Sequence, residues 1–181
     1  MALRKASSYS KMSVVPYTRT SKQKRLAYIK TVPPQNIVKF TMGNSQMFNE
    51  GKFPYKLTVI AEEMGQIRHN ALEACRQYLN KELDEALAGQ FLFKVISYPH
   101  HIQRENKMLT GAGADRMSSG MQLSFGKSMG KAALVKPGTK IFFFAVPTQK
   151  ALSQARDLFR KVKPKLPLRL KTVSEEPKHI K

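Results

Sequence analysis

The spacing of apolar residues changes several times along this chain, and each change predicts an element. Ile37, Val38, Phe40 and Met42 sit among polar residues until Gly43-Asn44 intervenes, a strand pattern. Tyr55 to Ala61 (Y-K-L-T-V-I-A) predicts a second strand. Met64, Ile67, Ala71, Ala74, Cys75, Tyr78, Leu79 and Leu83 then recur at steps of three and four. That spacing predicts an amphipathic helix ending near Gly89. Phe91 to Tyr98 reads as a strand closed by Pro99. Gly130 to Val135 and Lys140 to Val146 read as a hairpin, with Lys136-Pro137-Gly138 as its turn. Thr148 is placed to cap a second helix. Its apolar stripe is Ala151, Leu152, Ala155, Leu158, Phe159 and Val162, and Pro164 and Pro167 end it. Leu168 to Val173 predicts a last strand. The sum is an α+β fold with a mixed, largely antiparallel sheet and two helices on one face. The faces carrying Ile67, Leu72, Leu79 and Leu83, and Leu152, Leu158 and Phe159, are expected to pack on that sheet.

Three stretches stand outside this pattern. Residues 1–35 read as an extended basic arm, in which cations alternate with Tyr9, Tyr17 and Tyr28 and Pro16, Pro33 and Pro34 oppose helix. Such an arm is expected to be disordered when free and ordered when bound. Residues 36–175 read as one domain, interrupted by a long loop over 99–129. Residues 176–181 read as a frayed tail. The loop has no clear period at its centre and is rich in Gly and Met. Loops of that length in a compact domain usually serve a function.

Charge says what these stretches face. The chain has 181 residues, with 32 Lys+Arg against 12 Asp+Glu. Residues 1–49 carry nine cations and no acid, whereas residues 50–85 carry five cations and seven acids. Glu105 and Asp115 are the only acids between Ala86 and Arg156. An excess of this kind points to a phosphate backbone. An anionic membrane surface is the rival partner, but it calls for a helix with a large basic face. The first predicted helix is acidic outside. No segment approaches the roughly 20 apolar residues of a membrane span. The N-terminus lacks an apolar signal region, and Cys75 is the only cysteine, which fits a reducing cytosol.

Familiar chemical motifs fail on spacing. Gly126-Lys127-Ser128 lacks the first glycine of a phosphate loop, because position 121 is Met121. Gly111-Ala112-Gly113-Ala114-Asp115-Arg116 has Arg116 at the third glycine of a dinucleotide fingerprint. His100-His101 lacks converging ligands for a metal, with His69 in the predicted helix and His179 in the tail. Cys75 falls on an apolar face, as a core residue does. Glu62-Glu63 and Asp84-Glu85 read as helix-end charges. Met108, Met117, Met121 and Met129 suit adaptable packing on an irregular surface. No catalytic cluster, metal site or cofactor site is expected. A free-standing RNA-binding or tRNA-modifying factor would need one.

Pro99-His100-His101, Arg104-Glu105-Asn106-Lys107-Met108, Gly111 to Arg116, Gly120-Met121 and Phe125-Gly126-Lys127 together resemble ribosomal protein L-ten-e of the large subunit. That family is the archaeal and eukaryotic counterpart of bacterial L-sixteen. Pro16-Tyr17-Thr18-Arg19, Tyr28-Ile29, Met42-Gly43-Asn44 and Gln66-Ile67-Arg68-His69 extend the resemblance over nearly the whole chain. It implies a two-layer α/β sandwich embedded in large-subunit rRNA near the aminoacyl-tRNA site. It implies no enzyme, and partners that are rRNA, tRNA in the ribosome and neighbouring large-subunit proteins. No homo-oligomer is expected. With the charge pattern, it makes Arg4, Lys5, Lys11, Tyr17, Arg19, Lys22, Lys24, Arg25, Lys30, His100, His101, Arg104, Lys127 and Lys131 the expected rRNA contacts. It places Asn106, Lys107, Met108, Gly111, Gly113, Asp115 and Arg116 toward tRNA and the peptidyl-transferase centre. Gln122 and Leu134 depart from the family's usual Arg, and Thr41 from its usual Asp; Lys131 adds a cation nearby. Without an extended eukaryotic-style C-terminal region, an archaeal-type member is expected.

Overall fold

The computed structural model describes residues 5–10, 13–18, 21–23, 25–27, 29–105, 111 and 126–175. Among these residues eight strands form two sheets. They are β1 (Thr41–Gly43), β2 (Tyr55–Ala61), β3 (Gly65–Arg68), β4 (Leu92–Val95), β5 (His101–Glu105), β6 (Lys127–Val135), β7 (Lys140–Val146) and β8 (Leu170–Glu175). The larger sheet has the order β1-β4-β7-β2-β8, and the smaller β3-β6-β5. Every pairing is antiparallel. Three α-helices accompany them: α1 (Ser45–Asn49), α2 (His69–Leu87) and α3 (Gln149–Val162). The class is α+β, as expected, but the one mixed sheet is two antiparallel sheets.

The central strand β7 (K-I-F-F-F-A-V) is apolar almost throughout because both its faces are covered. On one face Leu57, Val59, Phe93, Val95, Phe142 and Phe144 meet the stripes of α2 and α3. Phe93 and Phe144 stack at 4.5 Å between ring centroids, and Phe142 meets Phe159 of α3 at 6.5 Å. On the other face Leu92, Ala145 and Phe143 lie under Phe53, Met47 and Phe48. That cover is α1, a helix too short for the apolar spacing to announce. Asn44 caps it, accepting from the Met47 N–H at 3.0 Å. Thr148 caps α3 as expected, accepting from the Ala151 N–H at 3.3 Å. All six residues of the predicted α3 stripe are buried.

Three expectations are corrected. The helix foreseen from Met64 begins only at His69, because Gly65 to Arg68 pair with β6 as β3, Ile67 opposite Ala133. All four residues of β3 are buried, so no alternation distinguishes it from a helical turn. Second, β6 and β7 are not a hairpin. The turn at 136–139 exists: the Thr139 N–H donates to the Lys136 carbonyl at 3.0 Å, and Gly138 has φ +85°. Yet β6 pairs with β3 and β5, while β7 pairs with β2 and β4. The Gly138 N–H donates to the Ala61 carbonyl, and the Ala61 N–H to the Thr139 carbonyl, so β2 draws the turn away from β6. Third, the ends of the 99–129 stretch are not loop. They are β5 and the start of β6, paired from His101↔Ala132 to Glu105↔Lys127. The first and last predicted strands shift more mildly, to Thr41–Gly43 and Leu170–Glu175.

Candidate nucleic-acid interface

A three-stranded sheet has two open edges, each a row of unsatisfied backbone groups. Here the basic arm covers both. At the β3 edge Ser10 bridges Gly65, and the Gln66 N–H donates to the Tyr9 carbonyl at 2.9 Å. At the β5 edge the Ile102 N–H donates to the Tyr17 carbonyl at 2.8 Å. Each tyrosine ring meets an arginine of the strand it covers. The Arg104 guanidinium lies 3.9 Å from the Tyr17 ring centroid, and that of Arg68 lies 5.9 Å from Tyr9. Further along, Ala27 and Ile29 are buried, and Ser128 Oγ donates to the Thr31 carbonyl at 2.7 Å. The described parts of the arm are therefore laid along the domain.

One histidine fastens the arm and a second fastens the residue that follows it. The Tyr17 N–H donates to His101 Nδ1 at 2.9 Å, and the Asn36 N–H donates to His69 Nδ1 at 3.1 Å. Both rings are buried. Burial lowers both pKa values first, followed by His100 and Arg104 beside His101, and by Arg68 and Lys131 beside His69. An imidazole that accepts at Nδ1 must be neutral, with its proton on Nε2. His101 thus sits behind the surface as an anchor, while His100 is half-buried with Nδ1 3.0 Å from the Tyr98 carbonyl oxygen.

Where arm and loop base meet there is an open cleft of about 410 Å³. Tyr17, Lys30, Arg104, Lys127 and Ser128 line it, with the backbone of Ile29 to Thr31 beside them. Three cations from segments far apart in sequence converge, and among the described residues no carboxylate lines the cleft. The nearest acid in the ladder is Glu105, across from Lys127. Lys30 Nζ donates to the Arg25 carbonyl at 2.7 Å, which ties its stem to the arm. The cleft so combines an aromatic ring, a stacked guanidinium and two ammonium groups, the chemistry that holds a phosphate next to a base.

The other expected residues divide. Lys5, Lys22 and Arg25 are exposed on the arm, Lys131 is half-buried on β6, and Gly111 is exposed. Arg4, Lys11, Arg19, Lys24, Asn106, Lys107, Met108, Gly113, Asp115 and Arg116 lie outside the described residues. Arg68, His69, Asn36 and Ser128 join the site without a local sequence signal that marks them. Arg68 and His69 do stand within the family-like run Gln66 to His69. Cys75 is buried, and its thiol is pushed up to about 12 by that burial, which suits packing and not nucleophilic attack. The paired acids are surface partners: Glu63 meets Arg169 at 3.2 Å and Asp84 accepts from Asn80 at 2.9 Å. Among the described residues no group of His, Cys, Asp or Glu is placed to hold a metal, and no helix is long and apolar enough to cross a membrane.

The sequence profile described as Ribosomal protein L16p/L10e matches residues 15–173. Proteins named large ribosomal subunit protein uL16 match nearly end to end. The one from Staphylothermus marinus is 43% identical over 169 residues, covering 93% of this chain and 91% of its own. That from Methanococcus maripaludis is 42% identical, covering 96% and 94%. That from Thermofilum pendens is 40% identical, covering 97% and 99%. The class is thus a ribosomal protein, a structural component and not an enzyme. The chain belongs to the ribosomal protein L16p/L10e family.

Proposed function

We propose that this protein is a structural constituent of the large ribosomal subunit in the cytoplasm, bound to large-subunit rRNA near the aminoacyl-tRNA site. The observation that carries the reading is the cleft at the loop base, where Lys30, Arg104 and Lys127 converge on Tyr17 with no acid among the described lining residues. Its mechanism is neutralisation of phosphate together with shape fitting. The arm's cations and the cleft hold rRNA segments, and neighbouring large-subunit proteins complete the setting. The segment between β5 and β6 reaches toward tRNA and the peptidyl-transferase centre, a reading supported by the family-like run from Arg104 to Arg116. Catalytic chemistry belongs to RNA.

The test is reconstitution of large subunits with the full chain or with Lys30→Glu/Lys127→Glu. The parent should co-sediment with subunits at low salt. The variant should bind rRNA more weakly, with a log–log salt slope flatter by roughly 0.7 to 0.9 for each phosphate that is no longer neutralised. A parent protein that stays free of the subunit at low salt overturns the reading. Deleting 108–114 should leave subunit incorporation intact and impair tRNA accommodation. Normal accommodation would remove the tRNA part alone.

A further inference from the structure

A second cavity, of about 330 Å³, shares no lining residue with the cleft. Three segments build it: the arm at Tyr9, the β3–α2 junction at Arg68 and Asn70, and the turn after α3 at Pro164, Lys165 and Pro167. Its shape depends on how closely the arm is fastened. A Cβ on Gly65 would stand 2.5 Å from the Tyr9 carbonyl oxygen and 2.5 Å from Leu168 Cδ2, so only glycine lets arm, strand and turn meet there.

The walls and the polar groups differ in kind. Tyr9 and the two prolines offer ring surfaces to a flat apolar ligand. The Tyr9 hydroxyl is buried without a hydrogen-bond partner among the described residues. Asn70 Oδ1 already accepts from Asn36 Nδ2 at 3.1 Å, which fixes the amide and leaves its own Nδ2 as a donor. Two cations belong to the site. Arg68 is buried with its guanidinium 5.9 Å from the Tyr9 ring, and Lys165 Nζ lies 4.6 Å from the Tyr78 ring centroid. Among the described residues no carboxylate lines the cavity.

A ligand that suits all of this is planar, presents hydrogen-bonding atoms at its edge and carries negative charge beside the plane. We propose that this cavity receives one unstacked nucleotide of a single-stranded or bulged rRNA segment. Its base lies against Tyr9 and the prolines, its edge meets Asn70 Nδ2, and its phosphate meets Lys165. RNA bases splayed from a helix are recognised in this manner, on ring faces and by edge hydrogen bonds. The inference rests on the rRNA-binding reading above and adds to it a base-reading site apart from the loop.

The experiment compares full chains carrying Asn70→Asp or Lys165→Gln with the Lys30→Glu/Lys127→Glu variant, on protein-free large-subunit rRNA and on reconstituted subunits. Asn70→Asp keeps the oxygen that Asn36 uses, removes the donor and brings a negative charge to the cavity. An acid in the first turn of α2 also favours the helix dipole, so melting should not suffer. Affinity should nevertheless fall about tenfold, the scale of one stacked base. Ultraviolet irradiation of subunits should give a nucleotide adduct on the peptide containing Tyr9, and Asn70→Asp should remove it. Asn70→Asp and Lys165→Gln chains that bind like the parent, beside a weakened Lys30→Glu/Lys127→Glu chain, overturn this inference alone. If all three variants bind like the parent, the rRNA reading of the cleft fails as well.

Discussion

Acid should loosen the arm before it unfolds the domain. The perturbation is a fall in pH from about 7.5 to about 5.5, across the ordinary histidine pKa. His101 accepts the Tyr17 N–H of the arm at 2.9 Å and His69 accepts the N–H of Asn36, the residue that follows the arm, at 3.1 Å, so neither bond survives protonation of Nδ1. In the docked state both pKa values lie below 6.5, chiefly because the rings are buried and secondly because cations surround them. Released, both return toward that value. The released state then binds more protons, and docking weakens as pH drops below about 6.5. The loss is confined to the window between the released and docked pKa values, with a slope that cannot exceed about 1.4 kcal/mol per pH unit for each histidine. Glu50 and Glu73 add little in this window, since they are shifted lower by Lys52 and Arg76 respectively. The assay is amide NMR of the free protein, following the Tyr17 and Asn36 N–H signals, with urea midpoints at each pH. A control replaces both histidines by Asn, whose Oδ1 stands in for Nδ1 and does not titrate. The double variant should keep its arm at about pH 5.5. If it follows the parent's pH profile, or if the parent's two amides stay docked in acid, the reasoning is refuted.

Other outcomes follow from burial and charge. Leu79→Ala should cost about 2–5 kcal/mol and lower Tm by roughly 4–20 °C, since its side chain is fully buried between α2 and the core. Leu158→Ala, 8% exposed, should fall toward the lower end, and parent-like melting of both would refute the assigned core faces. Gly65→Ala should prise the arm from β3, seen as faster cleavage after the arm's lysines and arginines with little change in α3; unchanged protection would refute the close approach. Removing residues 1–35 takes away eight cations and should flatten the salt slope of rRNA binding by several units. It should also expose the β3 and β5 edges and promote self-association in sizing columns. An unchanged slope would refute the arm's contribution.

Much of the fold was legible because its signals are local. The α3 stripe repeats at the helical period, Thr148 precedes it and prolines follow it, and each signal acts within a few residues. Tyr55 to Ala61 is a strand with the bounds its pattern gives. The errors lie where distant pairing decides. Gln66 and Ile67 suit a helical turn as well as a strand, and only β6 across the ladder makes them β3. The turn at 136–139 is written in Pro137-Gly138, but a turn does not state which sheets its arms join. The capture of that turn by Ala61, far earlier in the sequence, sends β7 to β2.

The candidate site divides in the same way. By itself the sequence determined that this protein meets a polyanion, because 32 cations against 12 acids need no fold to repel or attract. It also determined where charge is unopposed, and the spacing of the 99–127 run marked the family. Only the tertiary structure decided which cations act together. Lys30 reaches Arg104 and Lys127 because the arm must satisfy the open edge of β5, and the Tyr17 backbone does so through Ile102 and His101. Edge hydrogen bonds and buried acceptors carry no sequence period, so the convergence they impose is decided by the folded chain.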